Sequence, residues 1–339
     1  MGGSSMKLLV TGGLGFIGSN FIRLVLCERP DVRIVNLDAM TYAGNPANCR
    51  DVESDARYTF IKGNICDAAA VQRAIGDGVD AIVNFAAETH VDRSILDPEA
   101  FLRTDVLGTH TLLEAVRRHR IRRFVQVSTD EVYGHVAEGY SQETDPLRPR
   151  SPYSAGKAGG DLQVLAYWTT YGVPVLITRG SNTYGPHQYP EKLIPLFVTN
   201  LLDDEPVPVY GDGLQVRDWL HVEDHASGIL HVLEHGEDGT VYNIGGGNSR
   251  TNLEITRALL GNCGRSYQTH VRHIADREGH DRRYALGCSK LRRLGWSPRI
   301  AFEEGLCATV EWYRRNDAWW RPLKSGEFLN YYRRQYAHR

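Results

Sequence analysis

Two short stretches of this 339-residue chain carry side chains able to move protons. In the first, Thr129, Asp130 and Glu131 are consecutive and follow an apolar run; in the second, Tyr153 and Lys157 are four residues apart. On a helix that spacing puts the phenol and the ammonium on one face. Tyrosine, with an ordinary pKa of about 10, is a poor base at neutral pH, but a neighbouring cation stabilises its phenolate. The pair therefore suits deprotonation of an alcohol or sugar hydroxyl beside a nicotinamide, with Thr129 completing a hydrogen-bond relay. Two adjacent carboxylates in a cleft are pushed apart in pKa, one held protonated as an acid and the other left as a base. That is more equipment than an alcohol oxidation or an epimerisation needs. The reaction that uses all of it oxidises a hydroxyl, removes the α-proton made acidic by the new ketone, expels a β-hydroxyl as water and returns the hydride. Such a cycle regenerates its hydride carrier and needs no outside redox partner.

The elements around these residues predict where they sit. Apolar, β-branched runs at 7–11, 32–37, 58–62, 81–85, 123–128 and 173–178 read as strands, and helical spacing recurs near 18–29, 68–75, 99–119 and 155–171. Alternation of this kind implies a parallel, doubly wound α/β sheet with helices on both faces. Asp130 and Glu131 then fall at the C-terminal end of the fifth strand, the usual catalytic edge of an open α/β sheet. Beyond Gly185 the prolines thicken and the topology is expected to turn mixed. The predicted division is 1–184 for a nucleotide-binding domain, with 216–244 returning to it, 185–215 and 245–330 for a smaller mixed α/β substrate-binding domain, and 331–339 as a tail.

Gly12, Gly15 and Gly18 follow the first strand as GxxGxxG. Glycines there permit a tight turn, close approach of a diphosphate and close helix–strand packing, and the following helix N-terminus favours an anion. Asp38 ends the second strand, where a carboxylate accepts from ribose hydroxyls and repels a 2′-phosphate, which favours NAD over NADP. Asn64 and Ile65 border the expected adenine position, and Ala86 and Ala87 are small where the cofactor passes. Bulk composition excludes several classes. A net charge of −2 gives no reason to expect nucleic acid, no run approaches 18 apolar residues, and the six cysteines are too scattered for a disulfide framework or a metal site. A cytoplasmic enzyme is expected.

Taken with the segments 11–13, 36–45, 86–94, 128–134, 151–157, 190–195, 217–225, 242–246 and 279–284, these motifs resemble the dTDP-glucose 4,6-dehydratase family of the extended short-chain dehydrogenase/reductases, along almost the whole chain. The resemblance implies a Rossmann-like fold, bound NAD, a dTDP-glucose substrate and a homodimer formed through helices near 99–119 and 155–171. It implies that Tyr153 takes the 4-hydroxyl proton, Glu131 the C5 proton, and that Asp130 protonates the departing 6-hydroxyl, with Thr129 steadying the sugar. Implied cofactor contacts include Gly15, Phe16, Ile17, Asp38, Thr41, Asn64, Ile65, Thr104, Tyr153 and Lys157, with Thr183 near the nicotinamide. Implied substrate contacts are Thr89, Asn182, Glu191, Lys192, Leu193, Arg217, Asn252, Arg277 and His280, with Val209 and Tyr210 lining the thymine pocket. Asn64, Thr183, Glu278 and the glycines Gly156, Gly159 and Gly160 depart from the commonest family pattern. Competing expectations are a 4,6-dehydratase of a GDP- or UDP-hexose, a sugar-nucleotide 4-epimerase, and a catalytically silent NAD-binding protein; the retained acid–base set argues against the last two.

Overall fold

The computed structural model describes residues 6–276, 280–326, 328 and 332. Arg277, Glu278 and the segment 331–339 apart from Tyr332 therefore lie outside the described residues. Strands β1 (Lys7–Thr11), β2 (Arg33–Asp38), β3 (Tyr58–Lys62), β4 (Ala81–Asn84), β5 (Arg123–Thr129) and β6 (Val175–Gly180) follow one another. Between them run helices α1 (Phe16–Glu28), α2 (Ala68–Ile75), α3 (Val91–Leu96), α4 (Pro98–Phe101), α5 (Thr109–His119) and α6 (Pro152–Tyr171). The chain then leaves through β7 (Asn182–Tyr184), α7 (Leu193–Leu202), β8 (Val207–Tyr210) and β9 (Val216–His221). It returns as α8 (Val222–His235) and β10 (Thr240–Ile244), and continues through β11 (Ser249–Thr251), α9 (Asn252–Cys263), α10 (Tyr267–His270), β12 (Val271–Ile274), α11 (Ser289–Arg293), α12 (Phe302–Arg315) and α13 (Asp317–Trp320).

The main sheet runs β10-β6-β5-β4-β1-β2-β3, parallel throughout. Its inner strands are apolar on both faces because both faces are covered, whereas the edge strand β3 is largely exposed. Leu8 and Val10 of β1 pack with Phe21, Ile22 and Val25 of α1 and Ile229 of α8, whereas Leu9 between them packs with Leu112, Leu113 and Val116 of α5. A smaller mixed α/β unit has its own core, in which Ile194 and Phe197 of α7 meet Val209 of β8, Leu259 of α9 and Leu306 and Val310 of α12. Its strands form a three-stranded sheet, β11-β9-β7, and a two-stranded one, β12-β8. The doubly wound parallel sheet with a smaller mixed unit is the architecture that the alternating pattern predicts.

Three local expectations change. Residues 216–221, expected to join the nucleotide-binding body with 222–244, pair instead with β7 and β11, because the free edge of β6 is taken by β10. β6 starts at Val175 rather than 173, after Pro174, which has no N–H for a ladder. The helix expected over 99–119 is continuous but not uniform: a π-helical segment, Leu102–Gly108, lies between α4 and α5.

The junction of β1 and α1 is closely packed at the sheet's C-terminal edge. Gly12 has φ of +68°, and a Cβ there would stand 2.6 Å from the Ala86 amide nitrogen; a Cβ at Gly18 would meet the Gly12 carbonyl oxygen at 2.5 Å. Gly12→Ala is expected to destabilise the protein by more than about 1 kcal/mol, from left-handed strain plus collision with the β4 exit. Chemical denaturation against the wild type measures this, and an unchanged midpoint would contradict it.

Candidate active site

At the C-terminal end of β5 the chain enters a short 3₁₀ turn, Asp130–Tyr133. Thr129 caps that turn: its Oγ1 accepts from the Glu131 amide at 3.3 Å and donates to Asp130 Oδ1 at 3.2 Å. Asp130 is buried, and its Oδ2 has no hydrogen-bond partner among the described residues. Burial first, then the adjacent Glu131 carboxylate, pushes the Asp130 carboxyl up to about 8; Arg217 opposes the shift. Asp130 is thus a protonated acid at neutral pH, while Glu131 opens onto a cavity. The turn is bolted from below by Tyr133, whose hydroxyl donates to Asn243 Oδ1 (2.8 Å) and accepts from Arg179 (2.9 Å). Arg179 in turn pairs with the fully buried Asp161 of α6.

Helix α6 begins with a reciprocal cap between Ser151 and Ser154 and with Pro152 in its first turn, which sets the position of Tyr153. One turn on, the Lys157 ammonium donates to the Val127 carbonyl of β5 at 2.8 Å. Tyr153 and Lys157 therefore face the strand that carries Thr129. Burial, Glu131 and Asp105 hold the Tyr153 hydroxyl well above its ordinary pKa, and a hydrogen bond with Thr129 works the other way.

Two cavities meet here. The larger, about 230 Å³, runs along the sheet edge, and the second, about 150 Å³, lies under the smaller unit; Glu191 and Lys192 line both. Of the expected cofactor residues, Gly12, Gly15, Phe16, Ile17, Gly18, Asp38, Thr41, Asn64, Ile65, Ala86, Ala87, Thr104, Tyr153 and Lys157 all line the larger cavity. Asp38 is fixed by the Leu14 and Met40 amides at 2.9 and 2.7 Å. A glycine cradle with no room for side chains, a helix N-terminus and a buried carboxylate at the end of β2 fit a dinucleotide. Thr183 is not brought in: its hydroxyl is bound to His225 Nδ1 (2.7 Å) and the Ser181 carbonyl (3.1 Å), and it lines neither cavity.

Of the expected substrate residues, Asn182, Leu193, Val209, Tyr210, Arg217, Asn252 and His280 line the second cavity with Glu191, Lys192 and Glu131; Thr89 lines the larger one. Thr129 and Asp130 line neither cavity; Ser128 before them lines the larger and Glu131 after them the second. Arg217 stacks over Tyr284 (4.2 Å) and donates to the Asp281 and Val216 carbonyls, which aims its guanidinium. The Glu191 carboxylate is enclosed and accepts from Tyr42 (2.8 Å) and Arg93 (2.9 Å), while Arg93 lies over the Tyr42 ring. It therefore braces the wall between the cavities. Sequence reasoning missed Asn48, His187 and Trp319 on the larger cavity, although Trp319 Nε1 donates to Asn48 Oδ1 across most of the chain, a link with no local signal.

Residues 9–309 match the family model described as GDP-mannose 4,6 dehydratase. A dTDP-glucose 4,6-dehydratase of Streptomyces niveus is 52% identical over 325 residues, covering 94% of this chain and 96% of the relative. The crystal structure of the dTDP-glucose 4,6-dehydratase DesIV from Streptomyces venezuelae, with NAD bound, superposes with a TM-score of 0.92 at 52% identity, covering 94% of this chain and all of that one. The chain belongs to the dTDP-glucose 4,6-dehydratase family. A UDP-glucose 4-epimerase of Thermus thermophilus in complex with NAD, 32% identical with a TM-score of 0.84 over 91% of this chain and 99% of its own, shares the fold at greater distance. The scaffold is thus common to dehydratases and epimerases, and the carboxyl pair after β5 is what a dehydratase needs in addition.

Because the folded state holds a proton on Asp130 that the unfolded chain releases near its ordinary pKa of about 4, this residue costs stability as pH rises from there through about 8. Asp130→Asn should therefore melt higher than the wild type at pH 8 and above, with the difference shrinking toward pH 4. Thermal melts across that range test it; a constant difference would contradict the assigned ionisation.

Proposed function

We propose that the protein converts dTDP-α-D-glucose to dTDP-4-keto-6-deoxy-D-glucose and water, using NAD that stays bound. The observation that carries the reading is the buried Asp130 carboxyl, held protonated beside Glu131 and one hydrogen bond from Thr129. NAD, when bound, would supply the hydride acceptor and donor that the cycle needs. Gly15, Phe16 and Ile17 at the α1 N-terminus would hold its diphosphate, Asp38 the adenosine ribose, Asn64 and Ile65 the adenine, and Tyr153 with Lys157 the nicotinamide ribose. Tyr153 accepts the 4-hydroxyl proton with Thr129 steadying the oxygen. Glu131 then removes the C5 proton, which the C4 ketone has made acidic, while Asp130 protonates O6 so that it leaves as water. Glu131 returns a proton to C5 as C6 is reduced. Each turnover leaves one proton more on Tyr153 and one fewer on Asp130, so none is consumed once solvent restores both. Arg217, aimed by Asp281 and Tyr284, is assigned to the substrate diphosphate, and Val209 and Tyr210 to the thymine.

The same reading makes the protein a homodimer. Exposed apolar side chains gather on the helices between 91 and 171, among them Ile95, Leu96, Leu102, Leu107 and Leu162, and such a concentration marks an interaction surface. Among the described residues no helix is long and apolar enough to cross a membrane; a cytoplasmic enzyme fits this composition.

Incubated with dTDP-glucose and no added NAD, the purified protein should form a 4-keto product one water lighter. Asp130→Asn and Glu131→Gln should each lower kcat by about 10²–10⁴-fold with little change in KM. An isomer of unchanged mass would mean epimerase chemistry, and turnover only of GDP- or UDP-hexoses would move the substrate assignment. Leu102→Glu combined with Leu162→Glu should convert a dimer to a monomer by light scattering; an unchanged mass would rule out this face.

A further inference from the structure

The wall of the larger cavity is completed by residues to which the reaction above gives no task. His187 and Gln188 follow β7, Trp319 stands on α13 near the far end of the chain, and Asn48 lies in the 3₁₀ turn Pro46–Cys49 after β2. Trp319 Nε1 donates to Asn48 Oδ1 at 2.9 Å, and Asn48 Nδ2 donates to the Leu14 carbonyl at 2.8 Å. An indole nitrogen only donates and a carbonyl only accepts, so these two partners settle the orientation of the Asn48 amide. Leu14 lies between Gly12 and Gly15 in the turn after β1. The relay therefore ties a helix of the smaller unit to the glycine turn that suits a diphosphate. Asn48 is buried and Trp319 only half-buried, which places the indole at the rim of the cavity.

The same indole helps to hold the segment after β7. The His187 ring packs against two tryptophans, with centroids 4.6 Å from Trp312 and 5.6 Å, edge-on, from Trp319. Burial pushes the His187 imidazole down to about 3, so it stays neutral and suits an aromatic stack. Its backbone is left-handed, with φ of +68°, a conformation that costs a non-glycine residue energy and persists only where its surroundings hold it. Beside it the Gln188 carbonyl accepts from the Tyr313 hydroxyl of α12.

We propose that Trp319 and His187 form a latch that keeps NAD captive in the larger cavity. The latch rests on the NAD proposed above and not on the sugar nucleotide. A hydride that leaves and returns within one turnover needs its carrier to stay, and the Trp319–Asn48 bond joins the two units across the rim. The dinucleotide leaves only when that bond parts and α13 lifts from the 3₁₀ turn. Trp319, His187 and Asn48 do not line the second cavity, so the latch acts on the cofactor side alone.

The test uses holoenzyme exchanged with radiolabelled NAD, desalted, and chased with unlabelled NAD while the label still bound is followed in time. Trp319→Phe keeps a ring but loses the N–H, leaving Asn48 Oδ1 unmet, and should release NAD about tenfold faster than the wild type. Trp319→Ala, which also loses the His187 contact, should release it faster still; the phenylalanine variant carries the test if the alanine variant does not fold. Affinity for dTDP, measured by calorimetry on the same proteins, should be unchanged. Release curves superposable on that of the wild type would overturn the proposal. A parallel loss of dTDP affinity would overturn it too, since that marks a general loosening of the smaller unit. A wild type that keeps no label through desalting would reject the latch together with the captive cofactor. A wild type that holds NAD but does not bind dTDP would instead reject the assigned substrate, and the release rates would decide the latch by themselves.

Discussion

Exclusion of water from the end of β5 is the constraint on which the site depends. Burial is the leading cause of the raised pKa of Asp130, Tyr153, Asp105 and Asp161 alike. For Asp130 this is useful directly, since a carboxyl that stays protonated at neutral pH can deliver a proton to a poor leaving group. For Tyr153 the same burial works against ionisation, so the protein alone keeps the base latent. Elimination waits on oxidation for a separate reason: the C5 proton is acidic only once C4 is a ketone.

Keeping a carboxyl dry requires that nothing around it move. The Tyr133–Arg179–Asp161 chain ties the acid-bearing turn to α6, the helix that carries Tyr153 and Lys157. One rigid block therefore holds the oxidation and elimination groups in register. A second brace, Tyr42–Glu191–Arg93, closes the wall between the two cavities.

The chemistry-bearing residues and their sheet were readable because each signal is local. Tyr153 and Lys157 are spaced by one turn, Asp38 ends a β-branched run, and the glycines follow the first strand. What was not readable depends on long-range pairing. Nothing near 216–221 says that its hydrogen-bond partners are Asn182–Tyr184 and Ser249–Thr251 rather than the main sheet. The helical spacing over 99–119 does not reveal the π-helical segment Leu102–Gly108, because side-chain patterning marks which residues face the core and not which carbonyl each amide bonds. Thr183 illustrates the converse: its place in the chain suggests the cofactor, but a buried histidine claims its hydroxyl.

The central claim is that one dry pocket removes hydrogen from C4 and delivers that same hydrogen to C6. dTDP-glucose carrying deuterium at C4 tests it most directly, with the product examined by NMR after turnover by the protein without added NAD. The account predicts deuterium at C6 of the 4-keto-6-deoxy product, undiluted by solvent. Deuterium returned to C4, or lost to solvent, would contradict it.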